Sequence, residues 1–181
     1  MLAKDVMTKS VVACTPWDTA QTAAKLMKAH DVGAIPVVWD MTDPLVEGIV
    51  TDRDLCCAVI ADAKKGDSIR VSELMTPVPV TCQPECTIEE CEELMQENQV
   101  RRIPVVDDRG RCVGIVALAD IAQHARAEQV ATTIKEICKP AKEDKRAPIK
   151  RDYLDEQTHE EDQVLLLNRR RELRREAEVS R

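Results

Sequence analysis

Small and apolar residues recur at helical spacing near the start of the chain. The pattern predicts a helix with one apolar face, formed by Ala20, Ala23, Ala24 and Met27. Asp18 or Thr19 can cap this helix, because a short side-chain oxygen accepts a free backbone N–H at a helix amino terminus. The sequence therefore predicts a helix that begins near residue 20.

Two short apolar runs follow and predict a β-hairpin. They read IPVVW from Ile35 and VEGIV from Val46, and the turn between them contains Asp43 and Pro44. Runs of β-branched residues separated by turn-forming residues are typical of paired strands. From Asp52 the sequence DRDLCCAVIADAKK predicts a second helix.

The same order of elements returns later in the chain. The segment VMTKSVVACTPWDTAQTAAKLMKAHDVGAIPVV, from Val6, matches LMTPVPVTCQPECTIEECEELMQENQVRRIPVV, from Leu74, and GIVTDRD at Gly48 matches GIVALAD at Gly114. The separation falls from 68 to 66 residues within a turn, where length changes are tolerated. The second copy predicts a helix over 87–98, strands over 103–106 and 112–116, and a helix from about 117 towards 138.

Two copies of one small unit predict a mixed α/β fold of the α+β kind. Each copy is a βαββα-like unit with too little core to be stable alone, so the two copies should pack together. The duplication predicts an approximate two-fold axis and two similar clefts. We expect one repeat over residues 1–68, a second over 69–138 and a charged appendage over 139–181.

The appendage differs from the repeats in composition. Its first part, KPAKEDKRAPIKRD, contains two prolines and almost no apolar residues, as expected of a linker. A helix from about Glu160 would have a narrow apolar face formed by Val164, Leu165, Leu166, Leu167 and Leu173. Such a charged helical tail is either a solvated terminal helix or one that docks on a partner or crosses a dimer. Binding to a membrane surface is a lesser alternative, because the acidic residues dilute the basic face.

Composition narrows the possible classes of function. The 33 acidic and 26 basic residues give a net charge of −7, which disfavours general DNA affinity because duplex binding neutralises phosphates. The three aromatic residues, Trp17, Trp39 and Tyr153, are too few for base stacking. Neither a membrane span nor a signal peptide is recognisable. We expect a cytoplasmic protein that binds neither nucleic acid nor membranes, with cysteines not paired by default.

The repeated motifs resemble those of the cystathionine-beta-synthase (CBS) domain family. Met-Thr starts, Ile-Pro-Val strands and Gly-Ile-Val-x-x-x-Asp turns occur twice, in the same order, over about residues 6–122, as in a tandem CBS pair or Bateman module. The resemblance implies a regulatory module with βαββα-like units that is commonly dimeric. It also implies clefts that bind an adenosine-containing ligand such as AMP, ADP, ATP or S-adenosylmethionine.

In that family a Gly-x-x-Thr/Ser-x-x-Asp turn recognises ribose, and Gly48, Thr51 and Asp54 match it in the first copy. A carboxylate in the first turn of a helix can accept hydrogen bonds from both ribose hydroxyls, and free N–H groups at the same helix end face an anion. The backbone near Ile35 and Pro36 would face adenine. Alternatively, Thr51 and Asp54 only begin a helix, since both residue types favour that position.

The second copy departs from this pattern. Ala117 replaces the hydroxyl residue, although Asp120 remains. Arg101 and Arg102 directly precede the Ile-Pro-Val strand, where some members of the family have basic residues that contact phosphate. The hydroxyl–acid pair therefore lies in one copy and the basic pair in the other.

These differences suggest one better nucleotide site shared by the repeats. In this hypothesis Thr51 and Asp54 hold ribose. Phosphate is then approached across the repeat interface by Arg53, Arg101 or Arg102. The alternative is that the arginines form a solvated surface pair.

Neither the cysteines nor the histidines form a recognised metal or catalytic motif. Cys82, Cys86 and Cys91 lack a second CxxC or HxxxH pair, and Cys14 and Cys82 occupy equivalent positions, which favours packing. A P-loop, a GxSxG elbow and HExxH are also missing. We therefore expect a non-enzymatic regulatory module without a metal, which forms a homodimer and signals to a protein partner. The alternative is a structural or redox-responsive interaction protein without a bound nucleotide.

Overall fold

The computed structural model describes residues 1–140. The linker and the helical tail expected in the appendage lie outside the described residues, apart from Lys139 and Pro140. The helices are α1 (Ala3–Val6), α2 (Ala20–His30), α3 (Asp52–Cys56), α4 (Ile88–Asn98), α5 (Leu118–Ala122) and α6 (Ala127–Ile137). The strands are β1 (Ala34–Val38), β2 (Val46–Thr51), β3 (Thr76–Pro77), β4 (Arg102–Val106) and β5 (Cys112–Ala117).

The first long helix of each repeat begins at a threonine cap. Thr19 Oγ1 accepts a hydrogen bond from Thr22 N at 3.1 Å, which confirms the prediction that residue 18 or 19 caps α2. Thr87 caps α4 in the same way and is joined by Glu90, whose carboxylate accepts the Thr87 N–H at 2.7 Å. The threonine oxygen satisfies one of the N–H groups that a helix start leaves without a partner.

Both predicted hairpins are present. Strand β1 runs antiparallel to β2 with Ile35 opposite Val50, and β4 runs antiparallel to β5 with Ile103 opposite Val116. The short strand β3 adds to the free side of β2, so that the first sheet has the order β1-β2-β3. The fold is therefore the α+β arrangement of two similar units that the duplication predicts.

The helices after the hairpins are shorter than predicted. Helix α3 ends at Cys56 and continues as a π-helical turn only to Ala61. The prediction of one continuous helix from residue 117 towards 138 is wrong, because α5 ends at Ala122 and α6 begins at Ala127. Arg126 has extended backbone (φ −70°, ψ 146°), which breaks the helix and redirects the chain. The redirected α6 then packs against α4.

Each repeat completes its core with the first few residues of the other repeat. Ala3, Val6 and Met7 pack in the core of the second repeat, around Cys82, Met95, Ile103 and Val116. Ile69, Val71, Leu74 and Met75 pack in the core of the first repeat, around Cys14, Ala23, Ile35 and Val50. The exchange is reciprocal, because residues 3, 6 and 7 occupy the repeat positions of 71, 74 and 75.

Backbone hydrogen bonds accompany the exchanged segments. Thr8 N donates to Ile115 O at 3.0 Å, and Ile115 N donates back to Thr8 O at 3.1 Å. Strand β3 makes the equivalent pairing in the first repeat, with Thr76 opposite Ile49. Each Met-Thr motif thus pairs with the sheet of the other repeat, as strand β3 at Thr76 and as an isolated bridge at Thr8.

Two glycines make room for the exchanged methionines. A Cβ at Gly48 would lie 2.7 Å from Met75 Sδ and 2.9 Å from the Thr76 carbonyl oxygen. A Cβ at Gly114 would overlap the side chain of Met7 in the same way. The repeated Met-Thr and Gly-Ile-Val motifs are therefore two halves of one contact between the repeats.

We expect Gly48→Ala to lower the free energy of unfolding by about 1–3 kcal/mol, since overpacking a filled site forces backbone or side-chain displacement. Urea denaturation of the full chain measures this change. Gly66→Ala is the matched control, because a Cβ at Gly66 comes no closer than 3.5 Å to its neighbours. Equal stability of both variants would contradict the packing role of Gly48.

Candidate functional site

A cleft of about 330 Å³ is lined by residues of both repeats. Its volume is at the lower end of the range for small-molecule sites, about 300–1,000 Å³. Most of the lining comes from the first repeat, over 8–12 and 30–36, and the rest from β4, β5 and α5 in the second. A ligand in this cleft would contact both repeats at once.

The cleft combines an aliphatic wall with a few charged groups. The aliphatic residues are Val11, Val12, Val32, Ala34, Ile35, Pro36, Ile115 and Ala117. Charged and titratable side chains are Asp31, Arg102, Asp120 and His30, and hydroxyls come from Thr8 and Ser10. An apolar wall with a few polar groups is typical of sites that hold a planar organic ring and orient its polar substituents.

Asp120 is held at the start of α5 by the backbone. Its Oδ2 accepts a hydrogen bond from Ala117 N at 2.8 Å. Within residues 1–140, the structure assigns no hydrogen bond to the other oxygen, Oδ1. A half-buried carboxylate with one oxygen held and one available can accept a hydroxyl proton from a ligand.

Asp54 is held at the start of α3 by more bonds. Its Oδ2 accepts the Thr51 N–H at 2.9 Å and the Thr51 hydroxyl at 2.6 Å, and Asp54 N donates to Thr51 Oγ1 at 3.2 Å. This reciprocal arrangement is a capping box. The single proton of the Thr51 hydroxyl is therefore already donated to Asp54, and Thr51 acts here by orienting that carboxylate.

The two helix starts share the backbone bond and differ by the two hydrogen bonds that the Thr51 hydroxyl makes. The distance from the backbone N to the carboxylate is 2.9 Å at Thr51 and 2.8 Å at Ala117. Loss of the hydroxyl at Ala117 thus leaves the carboxylate in its place. The second repeat lacks both the second hydrogen bond to that carboxylate and the hydroxyl oxygen that accepts a backbone N–H of the helix.

Four of the eight candidate site residues line the same cleft: Ile35, Pro36, Arg102 and Asp120. The others, Thr51, Arg53, Asp54 and Arg101, are not among its lining residues. The cleft joins the Ile-Pro strand of the first repeat to the helix start of the second. It does not join that strand to the helix start of its own repeat.

The two adjacent arginines have different surroundings. Arg102 lines the cleft, and its Nη2 would lie 3.4 Å from a Cβ at Gly33. Arg101 instead places Nη2 3.8 Å from Cys138 Sγ and lines a separate cavity with Leu118 and residues of α6. Arg53 is exposed on α3. Of the three arginines, Arg102 is the one placed to meet an anionic group in the described cleft.

Sequence reasoning missed the contribution of residues 8–12 to the cleft. Thr8, Ser10 and Val12 line it because the segment after Met7 pairs with β5 of the second repeat. The repeated Met-Thr motif was the available signal, since it recurs at the same separation as the strands. Its partner strand could not be identified from the repeat alone.

We expect Thr51→Ala to lower the free energy of unfolding by about 1 kcal/mol, because it removes a helix cap and a hydrogen bond to Asp54. The variant reproduces in the first repeat the arrangement found at Ala117. Thr51→Ser keeps the hydroxyl and should retain most of the stability in urea denaturation. If Thr51→Ala were as stable as the wild type, the capping box would have no energetic role.

The described part of the chain, residues 1–140, contains no group of three or more His, Cys, Asp and Glu side chains placed to bind a metal ion. Among the helices of that same part, none is long and apolar enough to cross a membrane.

The chain is similar in sequence to proteins of a known family. The family model for the CBS domain matches residues 3–61 and 71–127. The CBS domain-containing protein YhcV of Bacillus subtilis is 41% identical over 128 residues, which cover 71% of this chain and 88% of that protein. Hypoxic response protein 1 of Mycobacterium tuberculosis is 34% identical over 138 residues, which cover 76% of this chain and 94% of that protein.

Two solved structures are similar over most of their length. The crystal structure of Hypoxic Response Protein I with two coordinated zinc ions has a TM-score of 0.62 at 33% identity, covering 70% of this chain and 100% of that one. The CBS domain pair of protein MJ0100, in complex with 5′-methylthioadenosine and S-adenosyl-L-methionine, has a TM-score of 0.60 at 28% identity. That match covers 68% of this chain and 94% of the other.

Proposed function

Because the chain belongs to the CBS domain family, as a tandem pair, we propose that it is a non-enzymatic regulatory module that binds an adenosine-containing ligand. The ligand class comprises AMP, ADP, ATP and S-adenosylmethionine. The observation that carries the proposal is the cleft in which the Ile35–Pro36 strand faces the Asp120 carboxylate of the other repeat. The complex of the MJ0100 pair with two adenosyl compounds supports the same ligand class.

The groups of the cleft fit the parts of such a ligand. The aliphatic wall suits adenine, since a planar base can be held between apolar side chains without aromatic stacking. Asp120 Oδ1 is available to accept ribose hydroxyls. Arg102 supplies a positive charge for a phosphate or carboxylate group, and Thr8 and Ser10 add hydroxyl donors at the same cleft.

The duplication extends the proposal to a second cleft. Residues equivalent to the described lining are Thr76, Ile103 and Pro104 on one side and Thr51 and Asp54 on the other. Arg101 occupies the repeat position of Gly33, and its side chain lies beside Cys138 in a separate cavity. Each proposed site thus takes its strand from one repeat and its ribose-binding carboxylate from the other.

Such a site can regulate a partner because its two walls belong to different repeats. A ligand shifts an equilibrium only when it binds one arrangement better than another. A ligand that contacts both repeats favours the arrangement in which the two walls are close. We further propose that the cytoplasmic protein acts as a homodimer and passes this change to a protein partner through residues 139–181.

Isothermal titration calorimetry with AMP, ATP and S-adenosylmethionine tests the ligand proposal. We expect at least one of them to bind. Asp120→Asn should lower the affinity of the described cleft for that ligand by about 10-fold or more, since a hydrogen bond to a charged group contributes roughly 1.5–3 kcal/mol. Asparagine can still accept the Ala117 N–H, so the helix start is preserved. Asp54→Asn should act in the same way on the second cleft.

Asp108→Asn is the matched control, because Asp108 is exposed in the β4–β5 turn and does not line the cleft. Its affinities should equal those of the wild type. Unchanged binding by the Asp54→Asn, Asp120→Asn double variant, or no binding of any of the three ligands to the wild type, would contradict the proposal.

The oligomeric proposal has its own measurement. Sedimentation equilibrium of the full chain should give twice the mass of the 20.3 kDa monomer. A chain truncated after Pro140 should keep its ligand affinity, since the described cleft lies within residues 8–120, and lose its ligand-dependent binding to a partner. A monomer at all concentrations would contradict the homodimer, and partner binding that survives truncation would contradict the role of the tail.

A further inference from the structure

Two cysteines of the second repeat lie side by side in its core. Cys82 is 4% exposed and Cys91 is fully buried, and their sulfur atoms are 3.8 Å apart. Cys82 lies before α4, and Cys91 lies in the first turn of α4. A disulfide bond is about 2.05 Å long, so side-chain rotations need to bring the sulfurs closer by about 1.8 Å.

The pair exists in only one of the two repeats. Cys14 occupies the position of Cys82 in the first repeat, but Ala23 occupies the position of Cys91. Cys14 and Ala23 are both buried in the first core. The first repeat therefore packs an alanine at this helix position, whereas the second repeat carries a second thiol there.

The two thiols share a hydrogen bond. This bond, the largest influence on both groups, lowers the pKa of Cys91 and raises the pKa of Cys82, because the proton stays on Cys82 when Cys91 ionises. Burial raises the pKa of both thiols. In the first repeat, where Cys14 has no such partner, burial and the nearby Asp18 raise the pKa of Cys14 to about 12.

We propose that Cys82 and Cys91 are an oxidation site that closes to a disulfide with a peroxide as the oxidant. The sulfur of Cys91 attacks one peroxide oxygen, the O–O bond breaks, and the product is a sulfenic acid with release of water. The sulfur of Cys82 then attacks this sulfur, the S–O bond breaks, and a second water leaves with the Cys82 proton. Two thiols lose two electrons in total, and one hydrogen peroxide is reduced to two waters.

The disulfide would join α4 to Cys82, whose backbone is hydrogen-bonded to strand β4 beside the second proposed cleft. Cys82 N donates to Pro104 O at 3.1 Å, and Cys82 O accepts from Val106 N at 2.9 Å. Strand β4 carries the Ile-Pro pair that matches the cleft-lining pair of β1. The oxidation step needs no bound ligand, so it can be tested whether or not a nucleotide binds.

Peroxide treatment of the full chain, followed by alkylation and mass spectrometry, tests the proposal. Cleavage after glutamate separates the three neighbouring cysteines, since Glu85 lies between Cys82 and Cys86, and Glu89 and Glu90 lie between Cys86 and Cys91. We expect a Cys82 peptide linked to a Cys91 peptide, 2 Da lighter than the two thiol peptides together. Dithiothreitol should remove the link.

Cys91→Ala is the control variant, since alanine is already buried at the equivalent position 23. In this variant, Cys82 should remain a thiol that is alkylated after denaturation, as Cys14 does in both proteins. The proposal is overturned if, in the wild type, Cys82 forms a disulfide with Cys86 in place of Cys91. It is equally overturned if Cys82 and Cys91 stay reduced in the wild type under conditions that oxidise the exposed Cys56, Cys57 and Cys138.

Discussion

The structure depends on a reciprocal contact in which each repeat places a methionine over a glycine of the other. Met75 lies against Gly48 and Met7 lies against Gly114, and the following Thr-containing segments pair with the strands that carry those glycines. A glycine is needed because its missing Cβ leaves the space that the methionine sulfur occupies. Neither repeat has a complete core without the other, which makes the pair the folding unit.

The same exchange produces the candidate site. Because the segment after Met7 pairs with β5, the first repeat's Ile35–Pro36 strand comes to face the helix start at Asp120 in the second. The candidate site is therefore formed by residues of both repeats. A ligand that fills it contacts both repeats, so its affinity depends on how the two repeats are arranged, and a ligand that binds one arrangement better shifts the population towards it.

Duplication also allows equivalent positions to diverge. Thr51 and Ala117 begin equivalent helices, yet the threonine orients Asp54 with its hydroxyl while Asp120 depends on a backbone N–H alone. Gly33 leaves one cleft open, whereas its counterpart Arg101 carries a long side chain that lies beside Cys138. Cys91 places a second thiol beside Cys82, whereas Ala23 leaves Cys14 without one. The two halves share a backbone pattern and differ in the chemistry placed on it.

Much of the fold follows from local sequence. The helix starts at Thr19 and Thr87, the paired strands and the duplication itself are encoded in spacing and in residue types that act within a few positions. Helix length was less predictable: the sequence from 117 to 138 suits one helix, but the chain turns at Arg126 so that α6 packs on α4. That packing brings Thr133 to donate to the buried Glu92 at 3.0 Å, a contact between residues 41 positions apart.

For the site, the sequence by itself identified the residue types, namely the helix-start carboxylates, the Ile-Pro strands and the arginines. Tertiary structure alone decided their grouping: Asp120 and Arg102 join Ile35 and Pro36, while Thr51 and Asp54 lie elsewhere. The reason is that capping and strand pairing act between near neighbours in the chain, whereas the exchange of segments between the repeats is decided by which buried surfaces fit. Because the two copies carry nearly the same motifs, capping and strand pairing are compatible with a site built within one repeat or between both. Only the packing of the core decides between these two arrangements.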